Sequence, residues 1–410
     1  MRAGGGGGES RAAAEAADWF LEIECAQICK HGQVACGDAF GIERLDAESR
    51  ALAVLSDGLG SGVKASVLAN MTATMAMSFL RSDMDLLQSV ETIQDALPVD
   101  SVRKIAYATL SMVDLQVGGR TRIAEMGNPR YVQLRGLEDV EPASRSRVVS
   151  PRWPDRPIET CELDLRPGDR IVVCSDGVTQ AGLENPEFKF GWRRRGELEF
   201  LRWIVEREPE ISARDLSEAV VRRARAMDGG KNRDDASCLV VYFRRPRVLR
   251  ILSGPPFHRE SDAPFARLAL PGTGADSVVV CGGTTANIVK RELGVQGSVD
   301  MKRMRESGDL PPCGELEGIG LATEGVLTLA RVRRVLESGA DWRREAPAAR
   351  EILERMRNAD RIEFCVGTKV NEAHQDPRLP AELDLRRNVL HDIAAVLEAR
   401  FRKQTAFHFY

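Results

Sequence analysis

The chain has 410 residues, 29% charged and 43% hydrophobic, the balance of a folded protein too long for one ordinary core. Lys and Arg number 58 and Asp and Glu 61, a formal net charge of −3, so no global field draws the chain to nucleic acid or an anionic membrane. Aromatic residues are only 5% of the chain, poor material for base stacking, and no apolar stretch approaches the ~20 residues of a membrane span.

Residues 1–17, rich in Gly and Ala without an apolar period, read as a flexible tail. No apolar signal core follows Met1, so nothing points to export. From Phe20 the chain turns strand-like, with Leu21, Ile23 and Cys25 alternating with Glu22 and Glu24. Val34–Phe40 predicts a second strand and Ala51–Leu55 a third, buried one. After the break at Gly58–Gly62, helices are predicted over Val63–Phe79 and Asp85–Leu97, the second stopped by Pro98. Strands follow at Tyr107–Leu115, Thr121–Met126 and Tyr131–Leu134, separated by Gly118-Gly119 and Gly127-Asn128-Pro129. Residues 138–157, rich in charge and proline, read as a loop. Strands at Ile158–Leu163 and Arg170–Cys174, helices at Glu197–Arg207 and Ala213–Met227, and a strand at Ser237–Phe243 complete this half. Runs of strands between pairs of helices fit antiparallel sheets covered by helices, not alternating βαβ units.

Arg244–Arg247 marks a boundary, giving a domain over 18–246 and another over 247–410. Beyond it the pattern becomes strand–loop–helix. Strands at Val248–Leu252, Ser277–Cys281, Ile319–Leu321 and Arg361–Val366 alternate with helices, and Glu382–Arg402 closes the chain as a long helix. This half reads as a small α/β domain with a mostly parallel sheet. The nine cysteines show no CxxC spacing and no Cys/His cluster. Most lie in apolar runs such as Ile171-Val172-Val173-Cys174, which predicts buried, reduced thiols, a cytoplasmic protein, and no zinc or iron–sulfur site. Cys25 and Cys29 are the only near pair in sequence.

Four segments of the first half put an aspartate at the edge of an apolar strand: Gly37-Asp38, Ser56-Asp57-Gly58, Ser175-Asp176-Gly177 and Arg233-Asp234-Asp235-Ala236. Hard divalent cations take oxygen ligands, and two such ions sharing a carboxylate can ready a water for in-line attack on phosphorus. A glycine after the aspartate lets backbone approach without a Cβ. Asp-Gly is also a common turn, and Asp228-Gly229, which follows a helix, reads as a helix terminus. The ordered combination is what points to metal chemistry.

These segments, with Ser56–Gly62 and Gly168–Thr179 at full length, resemble the metal-dependent protein phosphatases (PPM family) in order and spacing. The nearest resemblance is to the bacterial SpoIIE-type serine phosphatases, whose Gly-His/Asn-Pro turn is matched by Gly127-Asn128-Pro129. The resemblance covers roughly residues 20–245 and implies a sandwich of two mainly antiparallel sheets flanked by helix pairs, with a smaller C-terminal α/β domain. It implies a phosphoserine or phosphothreonine protein as substrate and direct attack by a metal-bridging hydroxide. It also implies two Mn²⁺ or Mg²⁺ ions: Asp57 bridging, the Gly58 carbonyl helping to hold the first, Asp176 and Asp234 holding the second, and Asp38 ordering water. Asp235 is then a neighbour of the site. Two departures stand out: Ser61 replaces a common histidine, with a helix cap as its structural alternative, and no phosphate-gripping arginine accompanies Asp38. Arg193-Arg194-Arg195 could steer a phosphoprotein or simply form a solvated helix start, and Lys64 could approach the ions or lie on the surface.

Leu252–Pro256, Cys281–Ala286 and Thr323–Leu329 resemble the C-terminal extension of two-domain phosphatases found alongside iron hydrogenases in anaerobes. There Gly282-Gly283-Thr284-Thr285 opens a helix after a buried strand. It reads either as an anion site using the helix N-terminus and threonine hydroxyls or as a plain turn with a threonine cap. Two other functions compete with the protein phosphatase: a ligand-binding or protein-docking regulator with a degenerate phosphatase domain, and a phosphohydrolase of small molecules. A small ligand or a protein at residues 247–410 belongs to the regulator reading.

Overall fold

A computed structural model of the chain describes residues 19–45, 49–97, 108–299, 313–369 and 382–410, apart from residues 120, 152, 184, 186, 187 and 189. The expected tail over 1–17 and the stop at Pro98 lie outside these. The chain divides into two compact units, Met1–Arg245 and Pro246–Tyr410.

Two antiparallel sheets form the first unit. One has the order β2 (Asp38–Leu45), β3 (Arg50–Asp57), β4 (Leu110–Gln116), β5 (Thr121–Met126), β9 (Trp153–Glu162), β8 (Ser144–Ser150). The other runs β1 (Phe20–Ile28), β11 (Ala236–Arg244), β10 (Asp169–Cys174), β6 (Val132–Arg135), β7 (Glu138–Asp139). Strand alternation assigns the layers. Ala51, Ala53 and Leu55 of β3 meet Ile171, Val173, Leu239 and Val241 between the sheets. Leu52 and Val54 face Ala69, Ala73 and Ala76 of α1 (Val63–Arg81). Being covered on both faces is why β3 reads as an unbroken apolar run. Helices α4 (Arg193–Arg207) and α5 (Ala213–Met227) cover the other sheet through Leu201, Val220 and Val221 against Val172 and Val240. Helix α2 (Leu86–Ala96) packs with α1, and a short α3 (Asp176–Thr179) follows β10.

Several boundaries differ from expectation. The second strand begins at Asp38, because residues 31–36 form a turn tied by His31 N–H to the Asn232 carbonyl (2.8 Å); Val34 is fully exposed. The expected loop at 138–157 instead holds β7, β8 and the start of β9; its charges suit a sheet-edge hairpin, where polar side chains face water.

The second unit has the order β14 (Gly297–Val299), β15 (Gly314–Leu316), β16 (Gly320–Thr323), β13 (Ser277–Cys281), β12 (Val248–Ser253), β17 (Arg361–Val366), β18 (Gln404–Phe409). From β16 to β18 every pairing is parallel, and β14–β15–β16 is antiparallel. Helices α6 (Asp262–Arg267) and α7 (Gly283–Leu293) bury Phe265, Ala286 and Val289 on one face. The other face packs Leu329, Ile352 and Ile393 of α8 (Val326–Ser338), α9 (Pro347–Asn358) and α10 (Glu382–Phe401). The long helix therefore does not close the chain: β18 follows it and pairs with β17. Among the described residues no helix is long and apolar enough to cross a membrane.

Candidate active site

The antiparallel register of β2 and β3 sets Asp38 directly opposite Asp57. Like charges facing across a ladder destabilise it, so this pair needs a countercharge or a proton. Asp38 is buried; its Oδ2 accepts from Ser237 Oγ at 2.6 Å, and its Oδ1 is buried with no hydrogen-bond partner. Burial raises the Asp38 carboxyl to about 6, the Ser237 and Ser175 hydroxyls opposing and Asp235 and Asp176 adding. Burial, with the charges of Asp38, Asp176 and Asp234, pushes Asp57 up to about 9.

Backbone geometry explains the glycine after each strand. The Gly58 N–H donates to the Gly37 carbonyl at 3.1 Å, and a Cβ at Gly58 would lie 2.1 Å from the Ala65 carbonyl oxygen in the first turn of α1. A Cβ at Gly177 would lie 2.0 Å from the Asp235 carbonyl oxygen, so the turn after β10 and the entry to β11 are pressed together. Ser175 and Ser237 lock these ends: Ser175 N–H donates to the Ser237 carbonyl and Ser237 N–H to Ser175 Oγ, both at 3.0 Å. In the expected Gly127-Asn128-Pro129 turn, Asn128 Nδ2 donates to the Leu55 carbonyl (3.2 Å) and to Ser111 Oγ (2.9 Å), bracing β3 two residues before Asp57.

Asp176 opens α3. Its Oδ2 accepts from Gln180 Nε2 at 2.8 Å, while its buried Oδ1 has no partner. Asp234 is half-exposed; its Oδ1 accepts from the Asp235 N–H at 3.1 Å and lies 3.9 Å from Lys30 Nζ. Its carboxyl is raised by burial, Lys30 opposing and Asp176 adding. Asp235 is buried, its Oδ1 accepting from Lys30 N–H (2.8 Å) and Cys36 Sγ (3.2 Å). The structure thus gathers Asp38, Asp57, Asp176 and Asp234, and engages Asp235 with the 29–37 loop.

The donor set fits hard divalent cations: carboxylates only, two of them presenting a buried oxygen that no protein donor fills. Lys30 was not legible as a site residue, since nothing in its sequence neighbourhood distinguishes it from a surface lysine. Ser237, Gln180 and Thr109, whose Oγ1 accepts from the Asp57 N–H at 3.0 Å, also carry no motif of their own.

The other residues singled out by sequence have the following neighbours. Gly62, not Ser61, caps α1, and its cap has no side-chain hydrogen bond; Ser61 and Lys64 are exposed. Of the arginine triplet, Arg194 grips Asp139 with two bonds (2.8 and 3.0 Å) and Arg195 pairs with Glu199 at 3.0 Å. Asp228 is a helix C-cap whose carboxylate accepts from the Gly182 and Arg233 N–H groups. In the second unit Gly282 is the N-cap of α7 with φ 111°, and the buried Thr285 Oγ1 accepts from the Gly254 N–H at 2.9 Å. Gly283 and Thr284 are exposed.

Residues 47–244 match the model of the family described as Stage II sporulation protein E (SpoIIE). Over that stretch, just under half of the chain, the amino-terminal unit is similar to this family. Among individual proteins, the chain is 27% identical over 218 residues to Stage II sporulation protein E of Bacillus subtilis (strain 168), a match covering 53% of this chain and 25% of that protein. It therefore spans about a quarter of that relative's length. A solved structure of the PP2C phosphatase domain and a regulatory-domain fragment of SpoIIE from Bacillus subtilis aligns with a TM-score of 0.44 and 19% identity, covering 55% of this chain and 64% of that one. RsbX in complex with magnesium aligns with a TM-score of 0.38 and 14% identity, covering 54% and 95%.

Proposed function

We propose that the chain is a metal-dependent serine/threonine protein phosphatase. Asp57 would bridge two Mn²⁺ or Mg²⁺ ions, the Gly58 carbonyl would help hold one, Asp176 and Asp234 would hold the other, and Asp38 would order water at the site. The observation that carries this reading is the convergence of four strand-end carboxylates, with Asp38 facing Asp57 and unfilled buried oxygens on Asp38 and Asp176. Such ions supply a nucleophile at neutral pH and stabilise charge on a phosphoryl group. The chain's own contribution is rigid placement: Ser237 fixes the Asp38 carboxylate, Thr109 and Asn128 fix the end of β3, and Gln180 fixes Asp176.

The substrate would be a phosphoserine or phosphothreonine protein. Nine cysteines, six of them buried, suit a reducing, cytoplasmic setting. The likeness of residues 247–410 to the extension found alongside iron hydrogenases remains part of this proposal and assigns that unit no activity. The test is hydrolysis of an aryl phosphate and of a phosphoserine peptide by the full chain with saturating Mn²⁺. Asp57→Asn and Asp176→Asn should each lose about a hundredfold or more, the scale on which removing one charge-stabilising group is felt. Wild-type rates in both variants would refute the assignment. No hydrolysis by the wild-type chain would favour a docking regulator.

A further inference from the structure

We propose that Cys29, Cys36 and Asp235 form a second cation site, chemically distinct from the four-aspartate centre, that takes a thiophilic divalent ion of the Zn²⁺ class. One ligand atom from each residue, two Sγ and a carboxylate oxygen, lies within 4.8 Å of the others. Among the described residues, no three of the active-site carboxylates are gathered as tightly. In sequence Cys25 and Cys29 are the near pair, and cysteine spacing alone gives no reason to expect a zinc site. The pairing that forms joins Cys29 at the end of β1 to Cys36, just before β2, across a turn with Gly32 at φ 82°.

The frame is already held in place. Lys30 N–H donates to Asp235 Oδ1 at 2.8 Å and His31 N–H to the Asn232 carbonyl at 2.8 Å, so the loop carrying both cysteines is fastened to the segment carrying the aspartate. Cys36 Sγ lies 3.2 Å from the same Oδ1. A tetrahedral Zn²⁺ with bonds of about 2.3 Å to sulfur and about 2.1 Å to oxygen sets its donors roughly 3.5–3.8 Å apart. The donors, within 4.8 Å of one another, would have to draw together by about 1 Å at most to reach that geometry. Asp235 is 3% exposed, while both cysteines are half-buried, so an ion can enter from solvent and keep a water as its fourth ligand. On binding, the two thiol protons pass to solvent and the ion replaces the Cys36 hydrogen bond.

Donor chemistry separates the two centres. Two thiolates and one carboxylate select Zn²⁺ or Co²⁺ over Mg²⁺ and Mn²⁺, whereas the four aspartates offer oxygen alone. The adjacent residues Asp234 and Asp235 thus serve different ions. This inference does not rest on the phosphatase reading.

Cobalt provides the test. The metal-stripped full chain, in excess Mg²⁺ to fill oxygen sites, is titrated with Co²⁺ and followed in the near ultraviolet for thiolate-to-cobalt charge transfer. The expected result is a band that saturates at a stoichiometric addition and is erased by Zn²⁺. Cys29→Ala and Cys36→Ala should each abolish it, while Cys25→Ala and Asp57→Asn should retain it. Unchanged melting temperatures in chelator would show that the alanine variants remain folded. Cobalt uptake without a thiolate band, a band surviving in folded Cys29→Ala or Cys36→Ala, or thiols consumed as a Cys29–Cys36 disulfide under reducing conditions would overturn the proposal. Loss of activity in Asp57→Asn with the cobalt band intact would leave it standing.

Discussion

Neighbouring aspartates at the entry to β11 divide two duties. Asp234 is half-exposed at the site and Asp235 is buried against the 29–37 loop, so substitution should separate activity from stability. Asp234→Asn should lose most activity with little change in melting. Asp235→Asn should retain more activity but lower stability by about 1–3 kcal/mol, because it disturbs a buried charged acceptor; paired activity assays and urea melts check this. Lys30 Nζ lies 3.9 Å from Asp234 Oδ1. Lys30→Ala should raise Mn²⁺ affinity by up to about fivefold, the scale of a partly exposed ion pair of about 1 kcal/mol, as read by calorimetric titration. The raised carboxyl of Asp57 sets a pH dependence. It binds more protons folded than unfolded, so its contribution to stability is full below pH ~4 and is lost as pH rises toward about 9. The metal-free chain should therefore melt at lower temperature as pH rises through this window. Asp57→Asn should flatten that slope, and a slope of the same size in the variant would contradict it. Asp57 and Asp176 were legible because each sits between a serine and a glycine at the end of an apolar run, Asp38 because it follows a glycine at a strand start, and Asp234 because it opens the Asp-Asp pair that enters a strand. Lys30 and Thr109 were not, since their roles depend on which strands become neighbours.

At the level of elements, glycine placement is what joins the site to the helix layer. At Gly58 a Cβ would strike the Ala65 carbonyl at 2.1 Å, whereas at Gly283, in the first turn of α7, it would meet nothing within 4 Å. Gly58→Ala should cost about 1–3 kcal/mol by overpacking, and Gly283→Ala should be neutral or slightly stabilising through its helix propensity. Equal effects in denaturant melts would contradict the close-approach account. Periodicity revealed the central elements, β3, β10, β11, α1 and α5, because packing covers them and their apolar residues must repeat. It failed at β7, β8, β14, β15 and β18, which are short or lie at the sheet margins, where half the backbone pairs and polar residues are tolerated. The helix α9 was also missed, although its apolar face is buried through Ile352, Leu353 and Met356.

At the scale of the molecule, the change in pattern near Arg244–Arg247 reflects two kinds of core. The first unit closes one core between antiparallel sheets and one beneath each helix layer. The second lays helices on both faces of a mainly parallel sheet. Sequence could supply the alternation of strands and helices but not the order β16–β13–β12–β17–β18, because strand order depends on which side of β12 each crossover packs. In the first unit, four aspartates brought from four strand ends would make one hydrolytic metal centre under the proposed function. Calorimetric titration of Mn²⁺ into the chelator-stripped chain tests it most directly, with Cys29→Ala as background to exclude thiolate binding. The account predicts uptake of two ions by that background, and loss of high-affinity uptake when Asp57→Asn is added. Equal uptake with and without Asp57→Asn would contradict it.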